Sequence, residues 1–183
     1  QISKYISLMV APGLYIPNTY STSPLATKYE VYVLVSNLPA GLYFKVGRFI
    51  PNFGVKIPEH RAYSRDLNGF YTPYASDEGR EVGIAPSFFT LTAGFSNGSS
   101  VSREGLRVNS FDFDNQKQIT VTGDFRWASK KSKYAFGIGG SFLSNPFKYE
   151  RSTNTNALRQ VGAGFLSIGL FQRVAIIGEL AYN

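Results

Sequence analysis

The stretch 51–78 holds the densest set of side chains able to do chemistry: Lys56, Glu59, His60, Arg61, Arg65, Asp66, Asp77 and Glu78. Carboxylates opposed to guanidinium groups on one inward loop set up a transverse field, and across a pore such a field sorts ions by charge. On a solvated external loop the same residues pair locally, each pair worth ~0–1 kcal/mol. Other chemistry lacks its residues. His60 is the one histidine and cysteine is absent, so Glu59-His60 cannot complete a zinc set, and disulfides and thiol catalysis fall away. Ser141 and Ser144 lie near glycines but form no Gly-x-Ser-x-Gly turn between a strand and a helix. The sequence predicts no enzyme, no cofactor and no metal site.

A second set of charges is spread along the chain. Lys45, Asp124, Arg126 and Glu179 are candidates for a permeation surface, or for a cross-strand ion-pair network that stiffens a wall. Arg48 and Arg80 flank the 51–78 loop. On an inner face they would pair with Glu59, Glu78 or Glu81, or line a constriction. The candidate pore and constriction residues are therefore Lys45, Arg48, Lys56, Glu59, Arg61, Arg65, Asp66, Arg80, Asp124 and Arg126.

The elements that must position these groups alternate with period two. In Ile119–Trp127, Ile119, Val121, Gly123, Phe125 and Trp127 fall on one face, and Thr120, Thr122, Asp124 and Arg126 on the other. A helix would mix the two sets; a strand keeps them apart. The same alternation separates Leu42, Phe44 and Val46 from Tyr43, Lys45 and Gly47. It separates Tyr134, Phe136, Ile138, Gly140 and Phe142 from Ala135, Gly137, Gly139 and Ser141. Strands are predicted over 3–16, 28–37, 40–50, 79–86, 88–97, 118–128, 133–143, 158–171 and 173–182. By this alternation Arg48 falls on the Leu42/Phe44 face. A charge on an apolar face at mid-bilayer costs roughly 2–4 kcal/mol, so Arg48 is expected at the membrane edge.

The gaps between strands alternate short and long. Residues 37–41, Pro86-Ser87, 129–132 and Gln172-Arg173 are tight, whereas 17–27, 51–78, 98–117 and 144–157 are long and rich in Pro, Asn, Ser and charge. A soluble β-sandwich has nothing that forces such alternation. An outer-membrane β-barrel does, with tight turns on one side and long loops on the other. The expected fold is an all-β, antiparallel, meandering transmembrane barrel in a single domain over 1–183. No run of about 18 apolar residues occurs, so no transmembrane helix is predicted. Trp127, Phe125, Tyr134, Phe142 and Tyr182 suit an aromatic girdle. The formal charge of +7 is dispersed and carries no recognition-helix pattern, which argues against nucleic acid. Within a barrel it favours anions, and on external loops it meets lipopolysaccharide phosphates.

The chain opens at Gln1 without Met or a signal peptide, which implies processing or trimming. Nine strands are odd for a barrel type that uses even numbers. The closing Glu179-Leu180-Ala181-Tyr182-Asn183 lacks a terminal aromatic. These features predict a part of a larger barrel, or a closed eight-stranded one if one strand is miscounted.

One segment carries a family resemblance. Gly47-Arg48-Phe49-Ile50-Pro51-Asn52-Phe53-Gly54 is followed by Glu59-His60-Arg61-Ala62-Tyr63-Ser64-Arg65, Gly69-Phe70, Glu78-Gly79-Arg80-Glu81-Val82-Gly83 and Gly94-Phe95-Ser96-Asn97-Gly98. Over about residues 28–98 this resembles a group of bacterial outer-membrane porin-like barrels, whose members are usually longer. Some of those resemble barrels encoded beside multihaem cytochromes, which implies the sheath of an electron conduit as another role. With no cysteine and one histidine, this chain attaches no haem itself. The expected function is a passive outer-membrane channel for small hydrophilic solutes, gated by size and charge. The alternative is a plugged barrel that anchors a periplasmic or cell-surface complex. Expected partners are outer-membrane lipid and lipopolysaccharide, with a homo-oligomer or a larger envelope complex as protein partners.

Overall fold

The computed structural model describes residues 3–13, 28–55, 77–97, 100–101, 108–109, 117–129, 133–148, 156–171 and 173–182. The strands are β1 (Ile6–Gly13), β2 (Lys28–Val35), β3 (Leu42–Phe49), β4 (Asp77–Ile84), β5 (Phe89–Ser96), β6 (Ser100–Val101), β7 (Val108–Asn109), β8 (Gln118–Ala128), β9 (Tyr134–Lys148), β10 (Asn156–Leu170) and β11 (Val174–Tyr182). Nine of them form one antiparallel sheet in the order β1-β2-β3-β4-β5-β8-β9-β10-β11. It is a meander, each strand pairing with the next along the chain except that β5 pairs with β8. Between those two lies the two-stranded ribbon of β6 and β7, which falls inside a stretch predicted as loop. No α-helix occurs among the described residues.

Local chemistry accounts for the short turns. Pro39–Gly41 makes a single 3₁₀ turn, and both Ala40 and Gly41 adopt positive φ there. Sequence periodicity extends β3 back to Ala40; the turn claims that residue instead. In β9 the deviation runs the other way. Ser144-Asn145-Pro146 reads as a loop, yet β9 continues to Lys148 because Ser144, Asn145 and Pro146 pair with Gln160, Arg159 and Leu158 of β10. Tertiary pairing overrides the local turn preference of these residues.

The pleat sorts the side chains as alternation requires, but burial is inverted relative to an ordinary core. The apolar face is exposed: Phe44, Trp127 and Ile138 are 50%, 53% and 51% accessible. The polar face is buried: Gln118, Thr120, Thr122, Thr92, Ser96 and Ser141 are all inaccessible or nearly so. On it Thr92 stands opposite Thr122, Ser96 opposite Gln118, and Lys45 opposite Glu81.

What covers the polar face is the chain leaving β3. Gly54, five residues beyond Phe49, lies against the Glu179 carboxylate of β11. Six strand-to-strand steps separate β3 from β11, roughly 29 Å along a flat sheet at ~4.8 Å each. Five residues reach at most about 18 Å, and a glutamate side chain adds about 5 Å. The sheet therefore curls, and its polar face is the inside of the curl. Its edge strands β1 and β11 do not pair with each other among the described residues, so the curl is open.

Candidate functional site

Residues 50–55 cross the polar face and are held there by two kinds of contact. The first is a directed set of hydrogen bonds. The Gly54 amide donates to Ser141 Oγ at 2.9 Å, Ser141 Oγ lies 2.9 Å from Thr122 Oγ1, and the Thr122 hydroxyl donates to the Asn52 carbonyl at 2.8 Å. Each hydroxyl has one proton. Because Thr122 spends its proton on Asn52, Ser141 is the donor between the two hydroxyls, and the chain of bonds has a single direction. Asn52 Nδ2 also donates to Thr92 Oγ1 at 3.0 Å. The second contact is apolar. Phe53, 1% accessible, packs with Leu143, Val161 and Ala163, with Ile50 against the cluster. Gly54 has φ +62°, and a Cβ there would overlap the Glu179 carboxylate. Only glycine fits both the left-handed backbone and the close approach.

Beside the tucked segment lies a buried ion pair. Lys45 Nζ is 2.9 Å from Glu81 Oε1, and the two side chains are 9% and 3% accessible. The Tyr43 hydroxyl donates to the same oxygen at 3.0 Å. To reach it, the Tyr43 ring lies over Gly83, where any Cβ would strike the ring. The Lys45 ammonium also sits 4.1 Å from the Phe49 ring centre and 5.5 Å from that of Tyr32. Such cation–π contacts partly replace the water that burial removes. Glu81 Oε2 is buried without a hydrogen-bond partner among the described residues.

The predicted site residues divide among these surroundings. Lys45 is on the polar face and is structural in its contacts, paired across strands. Asp124 and Arg126 share that face toward the short turns, where Arg126 Nη2 donates to Asp124 Oδ1 at 3.2 Å and the Arg126 side chain is 69% accessible. Glu179 faces Gly54. Arg48 and Arg80 differ from Lys45, because alternation puts both on the apolar face. Arg48 lies opposite Glu78, and Arg80 opposite Val46 and Phe95. Both stand at the long-loop end of their strands. With Glu78, Asn97 and Lys117 they line an open groove of about 620 Å³. Lys56, Glu59, Arg61, Arg65 and Asp66 lie outside the described residues, as does the rest of the 51–78 loop up to residue 76.

The aromatic residues expected of a girdle fall at both ends of the strands. Phe125 and Trp127 stand with Phe88 at the short-turn end, Phe88 and Phe125 with ring centres 6.4 Å apart, and Tyr134 meets Phe171 at 5.4 Å. Phe142 lies farther along the long strand β9, opposite Val121, and Tyr182 is at the opposite end of the sheet.

Sequence reasoning missed Asn52, Phe53 and Gly54 as contact residues, having looked to the loop's charges. A signal was present. Phe49 and Phe53 continue the odd-numbered, polar-face set of β3, and an aromatic pair there has no purpose on a wetted wall. No family model, curated protein or solved structure matches this chain.

Proposed function

We propose that this chain is part of a bacterial outer-membrane β-barrel of the porin-like kind, and that it forms a passive channel for small hydrophilic solutes. The observation that carries the reading is the inversion of the sheet, with apolar side chains outside and polar ones within the curl. Monomeric soluble proteins rarely expose continuous apolar surface beyond a few hundred Å². A bilayer is the solvent in which that surface costs nothing, and a barrel wall of alternating strands is the structure it accepts. The open edges of β1 and β11 suit a sheet completed by further strands of a larger barrel. Residues 50–55 then narrow the lumen from one wall to the other, and Arg126, steadied by Asp124, is a wall charge met by a passing solute.

A second reading is favoured by one feature. The Phe53, Leu143, Val161 and Ala163 cluster is apolar where a water-filled lumen would be wet. This suits a lumen plugged by its own loop, in a barrel that anchors a partner complex.

Single-channel conductance of the full-length protein in a planar bilayer tests both. Stable steps that enlarge when the 51–78 loop is deleted support the channel with that loop as its constriction. Silence in both forms, with insertion verified by protease protection, rejects the channel and leaves the plugged anchor. A protein that stays in solution without detergent rejects the barrel itself.

A further inference from the structure

The two ends of the apolar face differ in a way that channel activity does not require. At the short-turn end of β3, β4, β5 and β8 the outward residues are Leu42, Ile84, Leu91 and Phe125, and no charge occurs. At the long-loop end the same face carries Arg48, Arg80 and Lys117, together with Glu78 and Asn97, around one groove. Lys117 Nζ is fixed by Asn97 Oδ1 at 2.9 Å. Exposed apolar side chains begin immediately below, with Val46 beside Arg80 on β3, and Phe95 bridging Arg80 and Ile119. Among the described residues, three cations and one acid thus top a strip of grease.

We propose that this groove holds the phosphate of an outer-leaflet glycolipid, lipopolysaccharide, with acyl chains running along Val46, Phe95 and Ile119. The inference rests on the barrel reading and deepens it, giving the lipid a site and the barrel an orientation, long loops outward. Arginine forks match phosphate oxygens in pairs, and Lys117 adds a compact charge. Glu78 stands opposite Arg48 across the strands and brings the charge of the described lining to +2. The combination of anion recognition and an adjoining apolar strip selects a lipid over a free anion.

The test measures binding of bisphosphorylated lipid A to the full-length protein in detergent micelles. Each of Arg48→Gln, Arg80→Gln and Lys117→Gln is expected to weaken binding about fivefold, and the triple variant about a hundredfold. Glu78→Gln is expected to tighten it. Lipid A stripped of its phosphates should bind the wild type no better than intact lipid A binds the triple variant. Unchanged affinity in a triple variant that keeps its heat-sensitive mobility on gels overturns the proposal. So does displacement of lipid A by inorganic phosphate at equal concentration, which would make this a bare anion site. A wild-type protein that fails to insert into bilayers overturns the barrel reading and this inference with it. An inserted barrel indifferent to the variants overturns this inference alone.

Discussion

Two ion pairs of nearly the same composition on the polar face have very different surroundings. Lys45 and Glu81 lie beside the tucked segment, almost inaccessible, with Tyr43 and two aromatic rings around them. Asp124 and Arg126 lie toward the short turns, with the carboxylate 10% accessible and the arginine mostly in the open. Alternation places all four on one face and says nothing of this difference. The Lys45–Glu81 pair is enclosed by Tyr43, Tyr32 and Phe49, whereas in the other pair the acid is enclosed and the base is open. The same chemistry is therefore closed on both sides in one place and open on its basic side in the other.

The sharpest way to break the comparison is to remove one buried partner. Lys45→Met leaves the Glu81 carboxylate buried and without its cation, and is expected to cost about 3–5 kcal/mol. The midpoint of guanidinium unfolding in detergent reads it, and the double variant Lys45→Met/Glu81→Met should recover most of the loss. Phe53→Ala comes next. Emptying its place beside Leu143 and Val161 is expected to cost about 3 kcal/mol, and the loosened segment should enlarge single-channel conductance. Thr122→Val removes the donor to Asn52 and the acceptor for Ser141, for a loss of about 1–2 kcal/mol in the same unfolding measurement. Arg126→Gln sharpens the contrast from the other side. Its stability effect should fall below about 1 kcal/mol, while the reversal potential in a salt gradient moves toward cations. An Arg126→Gln loss equal to that of Lys45→Met would erase the distinction.

These outcomes bear on how much the sequence could reveal. The strands were legible because lipid-like and water-like faces leave a period of two, and Ile119–Trp127 shows it without interruption. Their order followed, since short gaps such as Gln172-Arg173 leave antiparallel neighbours as the only choice. The ends of β9 and β10 were less legible, because Asn145-Pro146 has turn chemistry that strand pairing overrode. The site was the hardest part. The Gly47–Gly54 motif stood out, but no local rule says that Gly54 reaches Ser141 or that Asn52 reaches Thr122. Those contacts depend on the curl of the sheet, which is a property of all the strands together. The loop's charged residues drew the expectation because charge suggests function. The side chains that hold the described part of the segment are an amide and a phenyl ring.

The tucked segment also orders events in time. Neighbouring strands of a meander find each other locally, but Gly54 meets Ser141 across 87 positions of sequence. Closing that distance early is entropically costly, and contacts of such long range form slowly unless intervening structure brings the ends together. The curled sheet is that structure. Hairpins from β3 through β11 must zip before residues 50–55 have a surface to land on, so the segment docks last. In pulsed hydrogen exchange during refolding, the Gly54 amide should gain protection after the amides of β8, β9 and β10. The curl is built as an open trough and narrowed only when its walls are complete.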